Sequence, residues 1–381
     1  MNDRRFLVLT ELFLPTKGGT AVWFDEVYRR LGGRDTHIVT AAVPDAVEHD
    51  RAHPNTIHRL RLRHSRWLRP ASLGIYLNFF RKSLTLGWRH RFEAVHAGRV
   101  LPEGWVGWFV ARLIRKPLVI YAHGEEITTW SRYPRRRAAM RFAYRHADVV
   151  IANSEFTQGE LLKLGVLEER IRIIHPGVDL ERFHPGHATA DLRQRLGLGP
   201  EEKLLLSVGR LSRRKGFDRV IQSLPGLRQQ GLAVHYALVG IGEDERYLQQ
   251  LAQEQGVAGQ VHLLGHVAPE ELPRWYCAAD VFAMPNREID GDTEGFGMVF
   301  VEAAACGTPA LAGLAGGTGA AVVDGVTGLR VDGTDEARVA AALTRLLTDE
   351  ELAARLARQG LERARRELGW ERVAERIGAL G

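Results

Sequence analysis

The sequence predicts an α/β protein made of two doubly wound, parallel-sheet domains that face one another across a cleft. Three observations predict it. Short apolar runs alternate with amphipathic helical stretches along most of the chain. The runs are continuously apolar, the pattern of strands buried on both faces. The series also starts twice, each time as strand, glycine loop and helix. At roughly 100–200 residues per domain, a chain of 381 residues accommodates two.

The first series opens with an apolar run at 6–10, a loop containing Gly18 and Gly19, and a helical segment at 21–31. Strands are expected at 37–41, 94–97, 118–122, 149–152 and 171–175. Pro176, Pro185 and Gly186 punctuate a linker. The second series opens with a strand at 203–208, the loop 209–216 and a helix at 217–224. Strands follow at 233–239, 261–264, 281–284 and 309–311, and the tail from 349 to 380 reads as helical.

Composition excludes several classes. Hydrophobic residues are 45% and charged residues 26%, as in ordinary soluble proteins. Two cysteines, Cys277 and Cys306, make neither a disulfide framework nor a metal cluster and suit a reducing compartment. No apolar run approaches the ~18 residues of a membrane span. The stretch after Met1-Asn2-Asp3-Arg4-Arg5 is too short for a signal segment, so a cytoplasmic protein is expected. The net charge of +6 is locally concentrated, in Arg59, Arg61, Arg63, Arg66 and Arg69, then Arg81, Lys82, Arg89 and Arg91, then Arg135, Arg136 and Arg137. Such faces attract phosphates. No nucleic-acid module accompanies them, which disfavours nucleic acid as a partner.

The chemistry concentrates in residues 292–309, D-T-E-G-F-G-M-V-F-V-E-A-A-A-C-G-T-P. Glycines ahead of a helix let backbone N–H groups approach a ligand, and a helix N-terminus favours anions. Phe296, Gly297, Met298 and Val299 can therefore hold a diphosphate through backbone atoms. Glu302 lies about one turn inside the helix and suits a ribose hydroxyl. Glu294 must bind something with donors, such as hydroxyls of a transferred group. The plain alternative is a capped buried helix with two incidental glutamates. In the loop 209–216, Arg210 and Lys215 can converge on one diphosphate, where cations stabilise a leaving group that gains charge. The alternative is a solvated basic loop, which is how Arg213 and Arg214 read.

Together, Glu294 and Glu302 with seven residues between them, Gly209-Arg210 with Lys215-Gly216, the Gly18-Gly19 loop, Ala122-His123-Gly124, Asn153-Ser154 and Pro176-Gly177-Val178-Asp179 resemble the retaining glycosyltransferase family 4. The run Met284-Pro285-Asn286-Arg287 and the Glu302–Gly307 stretch are similar to GDP-mannose-dependent mannosyltransferases of the phosphatidylinositol mannoside type.

The resemblance implies the GT-B fold of two Rossmann-like domains. It places the acceptor-binding domain at 1–180, the nucleotide-sugar domain at 181–365, and a C-terminal helix at 366–381 that packs back on the first. It implies a metal-free reaction with no cofactor beyond a nucleotide-sugar co-substrate. Arg210 and Lys215 would contact the diphosphate, Glu294 the sugar hydroxyls, and Glu302 the ribose. Gly19 would approach the diphosphate, and His123 would lie beside the reacting carbon. The catalytic set is then His123, Arg210, Lys215 and Glu294, and Gly18 and Gly19 join the donor site. A UDP-sugar donor, or a nucleotide-sugar-binding protein without activity, is the runner-up.

Asp290 and Asp292 have metal-motif spacing but sit in a glycine-bearing loop. Glu11, Glu125 and Glu126 are further acids near strand ends, and His96 reads as structural. Asn153 and Ser154 orient the acceptor or cap the next helix. A strand-like alternation opens the segment 58–69. The segment 72–86 carries Tyr76, Phe79 and Phe80 beside Arg81 and Lys82. It reads either as an ordinary packed helix or as a surface that touches an anionic membrane at its inner face. The latter implies a lipid-linked acceptor; a glycan is the other.

Overall fold

In a computed structural model, which describes residues 4–62 and 73–380, the apolar runs become two all-parallel sheets. Arg63, Arg66, Arg69 and Ser72 lie outside the described residues. The first sheet holds β1 (Phe6–Leu9), β2 (His37–Ala41), β3 (Thr56–Leu60), β4 (Ala94–Ala97), β5 (Leu118–Ala122), β6 (Val149–Ala152) and β7 (Ile171–Ile173). Its order is β3-β2-β1-β4-β5-β6-β7. The second holds β8 (Lys203–Val208), β9 (Val234–Val239), β10 (Val261–Gly265), β11 (Val281–Met284), β12 (Ala310–Gly313) and β13 (Gly328–Val331). Its order is β10-β9-β8-β11-β12-β13.

Both sheets obey one rule. The central strands are buried along their whole length because helices cover both faces: β1, β4, β5, β11 and β12 expose nothing. Each strand order reverses once, between β1 and β4 in the first sheet and between β8 and β11 in the second. At such a point the two following connections leave for opposite faces and open a crevice beyond the strands' carboxyl ends. The loops that matter are therefore those after β1, β4, β8 and β11.

The chain divides into residues 1–176 with 370–381, and residues 177–369. The helical tail is two helices, Glu350–Glu367 and Trp370–Gly378, broken at Leu368-Gly369. The second packs in the first unit against the helix Gly19–Tyr28, with Trp370 and Ile377 buried and Arg30 donating to Glu371 at 3.0 Å. The edge strands β3 and β13 have partly exposed, mixed sequences. For that reason β13 escapes a reading based on apolar runs, and β3 shows only in the Arg/Leu alternation. No described helix is long and apolar enough to cross a membrane.

Candidate functional site

In the second unit, Lys215 and Glu294 are 79 residues apart, yet the Lys215 ammonium donates to the Glu294 carboxylate. The switch point explains the meeting. The loop after β8 carries Lys215, the loop after β11 carries Glu294, and β8 and β11 pair with Val281 beside Leu205. Arg214 also donates to the same Glu294 oxygen at 3.0 Å and holds Asp292 through its Nε at 3.1 Å. Burial raises the Glu294 pKa, but the charges of Lys215 and Arg214 and their hydrogen bonds outweigh it and hold it at about 2. Glu294 is therefore a largely buried, permanently ionised acceptor.

Two glycines make this geometry possible. Gly216 has φ 77°, and a Cβ there would lie 2.1 Å from the Pro285 carbonyl oxygen. Gly216 thus lets the β8 loop close onto the β11 loop. Gly297 caps the helix Met298–Ala305 at φ 90°, where a Cβ would strike the Phe300 ring at 2.7 Å. The free N–H groups of this helix begin three residues beyond Glu294. Phe296 is buried and Met298 and Val299 are partly exposed at this helix start. A further buried pair braces the floor. Arg287 grips Asp218 with two hydrogen bonds, at 2.9 and 2.7 Å, and its backbone N–H donates to the Arg214 carbonyl at 2.8 Å.

The other expected residues divide. Glu302 accepts from the Tyr276 hydroxyl at 2.7 Å, and burial raises its pKa despite that bond. Arg210 does not converge with Lys215. It is exposed and paired with Glu243 at 2.8 Å. Arg213 lies over the Tyr247 ring, as a surface cation does. Arg214 corrects the sequence reading: it is no solvated side chain, because the turn Arg213–Lys215 aims it inward beside Lys215. Asp292 is an ion-pair partner of Arg214.

In the first unit, His123 follows β5. Its Nε2–H donates to the Gly98 carbonyl at 2.8 Å, so the neutral ring carries its lone pair on Nδ1. Burial lowers its pKa and keeps it neutral. Its backbone N–H donates to Glu126 at 2.8 Å, and Tyr144 donates to the same oxygen at 3.0 Å, so Glu126 is a brace. Asn153 Nδ2 donates to the His123 carbonyl at 2.8 Å, and Ser154 caps the helix Glu155–Lys163. His96 is buried against Tyr28 at 2.6 Å, as a structural histidine. Gly18, with φ 133°, caps the helix that begins at Gly19. Glu125 opens the helix Glu125–Ser131.

Sequence reasoning passed over Glu103. It is fully buried, accepts the Glu11 backbone N–H at 2.8 Å, and has its other oxygen unpartnered. Burial pushes its pKa up to about 7. A lone acid in Leu101-Pro102-Glu103-Gly104 gives no sequence signal, since only the fold buries it beside the loop after β1.

Comparison with known proteins agrees with this anatomy. The model for Glycosyltransferase Family 4 matches residues 17–182, and that for Glycosyl transferases group 1 matches residues 189–363. The chain is 33% identical over 380 residues to the Mycolicibacterium smegmatis protein named GDP-mannose-dependent alpha-(1-6)-phosphatidylinositol monomannoside mannosyltransferase, covering 98% of this chain and 97% of that one. The Mycobacterium tuberculosis protein of the same name is 32% identical with the same coverage. Among solved structures, Anabaena HepE in complex with UDP superimposes with a TM-score of 0.82 at 22% identity over 98% of both chains. Sucrose-phosphate synthase from Thermosynechococcus elongatus gives 0.81 at 24% identity over 99% of this chain and 98% of that one. These two establish the GT-B fold. The near-full-length relatives, together with two family models that tile both units, show that this chain belongs to the family 4 glycosyltransferases.

Proposed function

We propose that the chain moves mannose from GDP-mannose, with retention of configuration, onto a hydroxyl of a lipid-linked acceptor, and needs no metal ion. One observation carries this reading. At the start of the helix Met298–Ala305, a largely buried and ionised Glu294 is latched by Lys215 and Arg214. An ionised carboxylate accepts hydrogen bonds from sugar hydroxyls, and the two cations with the helix N-terminus suit a diphosphate. The names of the mycobacterial relatives favour GDP-mannose and a phosphatidylinositol-type acceptor.

The diphosphate gains negative charge as the sugar departs, so Lys215 and Arg214 act more strongly in the transition state than before it. The C1–O bond to phosphate breaks, and the acceptor oxygen bonds C1 from the same face. The acceptor's proton passes to the departing phosphate oxygen. Glu294 stays ionised and positions the ring. In the first unit, the neutral His123 with its lone pair on Nδ1 suits a hydroxyl donor. Because cations and helix carry the charge, chelation with EDTA is expected to leave turnover unchanged.

The first unit has a surface suited to a lipid. The helix Leu73–Arg89 buries Ile75, Phe79 and Leu86 and exposes Leu77 and Trp88 beside Arg81 and Arg89. Phe109 and Leu113 are exposed on the neighbouring helix Trp105–Ile114, and a cavity of about 380 Å³ opens among Tyr76, Leu77, Phe80, Trp105, Val106 and Phe109. Exposed apolar side chains on a helix that also exposes Arg81 and Arg89 suit the inner face of an anionic membrane.

A thermal-shift panel of GDP-mannose, UDP-glucose and UDP-GlcNAc tests the donor, because ligand binding raises Tm without an acceptor. The largest shift is expected with GDP-mannose. A shift with UDP-sugars and none with GDP-mannose would overturn the donor. Product NMR of the anomeric centre tests retention, and donor hydrolysis without acceptor separates an enzyme from a binding protein.

A further inference from the structure

The chain's two cysteines take no part in the site described so far. Cys277 lies in the helix Leu272–Ala278, and Cys306 caps the C-terminal end of the helix Met298–Ala305. These helices pack together and are joined by the Tyr276–Glu302 hydrogen bond. Cys277 follows Tyr276 in one helix and Cys306 lies one turn beyond Glu302 in the other, so both cysteines neighbour that hydrogen bond along the chain. Both are free thiols, and the Cys277 Sγ lies 3.9 Å from the backbone carbonyl oxygen of Cys306. Cys277 Sγ is also 3.4 Å from the His184 carbonyl oxygen, and Cys306 Sγ is 3.7 Å from that of Pro273.

The two thiols are unequal. Cys277 is partly exposed and Cys306 buried. The neighbouring Cys306, the backbone amides of His187 and Gly186 and the His184 ring draw the Cys277 thiol down to about 7. The neighbouring Cys277 and burial push Cys306 up. A partly exposed thiol of lowered pKa beside a buried second thiol is an attacking and resolving arrangement.

We infer that Cys277 and Cys306 are an oxidisable pair whose disulfide weakens nucleotide binding at the adjoining Tyr276–Glu302 rung. The coupling rests on the proposed role of Glu302 toward the nucleotide. With hydrogen peroxide as oxidant, the Cys277 thiolate attacks one peroxide oxygen, giving a sulfenic acid and, after protonation, water. The Cys306 sulfur then displaces that hydroxyl, its proton leaves with it as a second water, and the S–S bond forms. Two thiols lose two electrons and peroxide gains them. A covalent bond between these neighbouring but separate thiols draws the helices together and shifts Tyr276 against Glu302.

The test treats the full-length protein with equimolar peroxide, maps the product by intact mass and non-reducing peptide digestion, and titrates GDP and UDP by calorimetry. The expected product has lost two hydrogens and carries an internal Cys277–Cys306 bridge. Its nucleotide Kd rises at least about fivefold, dithiothreitol restores it, and Cys277→Ser and Cys306→Ser are unresponsive. Sulfinic acid at Cys277 with Cys306 still alkylatable, or a bridge with unchanged Kd, would overturn the inference. Reduced protein that binds neither nucleotide would refute the nucleotide reading and with it the coupling, whereas the bridge map is independent of that reading.

Discussion

Replacing Glu294 by glutamine separates its two proposed tasks. The Glu294 carboxyl titrates at about 2 in the fold, against an ordinary 4.5, because Lys215 and Arg214 hold its charge. A depressed folded pKa contributes stability that is complete above about 4.5 and is lost as pH falls toward 2. The difference corresponds to about 3 kcal/mol at neutral pH, in line with the cost of breaking a buried ion pair. Glu294→Gln should therefore be destabilised by about that much in urea unfolding at pH 7, with the gap to wild type roughly halved by pH 3. Ligand binding should move the other way. Glutamine frees both cations for a diphosphate, so GDP affinity should hold or rise, while turnover falls at least ~100-fold for want of the sugar-positioning carboxylate. Calorimetry with GDP and steady-state kinetics check both. Loss of GDP affinity in proportion to turnover would refute the separation and make Glu294 a structural strut alone.

Lys215→Ala should lower kcat by roughly 100-fold with a smaller change in donor KM, and a rise in KM alone would contradict a transition-state role. Gly216→Ala should destabilise by more than about 1 kcal/mol, read as a lower Tm, because it must leave φ 77° or strike Pro285. Glu103 binds its proton up to about pH 7 in the fold but only to about 4.5 when unfolded, so stability falls by about 3 kcal/mol as pH rises across that window. Glu103→Gln should flatten that slope in unfolding measured from pH 5 to 8. Exchanging Arg81, Lys82 and Arg89 for glutamine should reduce activity on anionic vesicles and spare a soluble acceptor analogue; equal loss on both would sink the membrane contact.

What the sequence discloses follows from which forces are local. Buried parallel strands show as apolar runs, so β1, β2, β4 to β6, β8 and β11 are legible almost residue by residue. The start of the helix at Met298 is legible because glycines and an apolar stretch mark it. Side-chain direction within a loop is not. Arg210 and Arg214 have the same chemistry in the same basic loop, and only the turn Arg213–Lys215 decides that Arg214 points inward while Arg210 meets Glu243. The burial of Glu103 and the grip of Arg287 on Asp218 depend on contacts 92 and 69 residues apart in sequence. No local pattern encodes them.

The two glutamates of residues 292–309 show how much such distant partners decide. They are the same residue type, eight positions apart at one strand–helix junction, and burial pushes both pKa values up. For Glu294 that push is overcome, because the loop after β8 delivers two cations across the switch point. For Glu302 the near partner is a neutral phenol, Tyr276, and the push prevails. One carboxylate is thereby charged at any working pH, which suits a group that must orient hydroxyls while a neighbouring diphosphate accumulates charge. The other sits where charge is disfavoured, near the Cys306 thiol, and a hydroxyl donor such as a ribose would relieve that burden. Binding at Glu302 should then lower its pKa, so nucleotide affinity should strengthen as pH rises through the raised pKa of the free site. Nucleotide titrations across pH that show no such rise, or the same rise in Glu302→Gln, would disconnect Glu302 from the ligand.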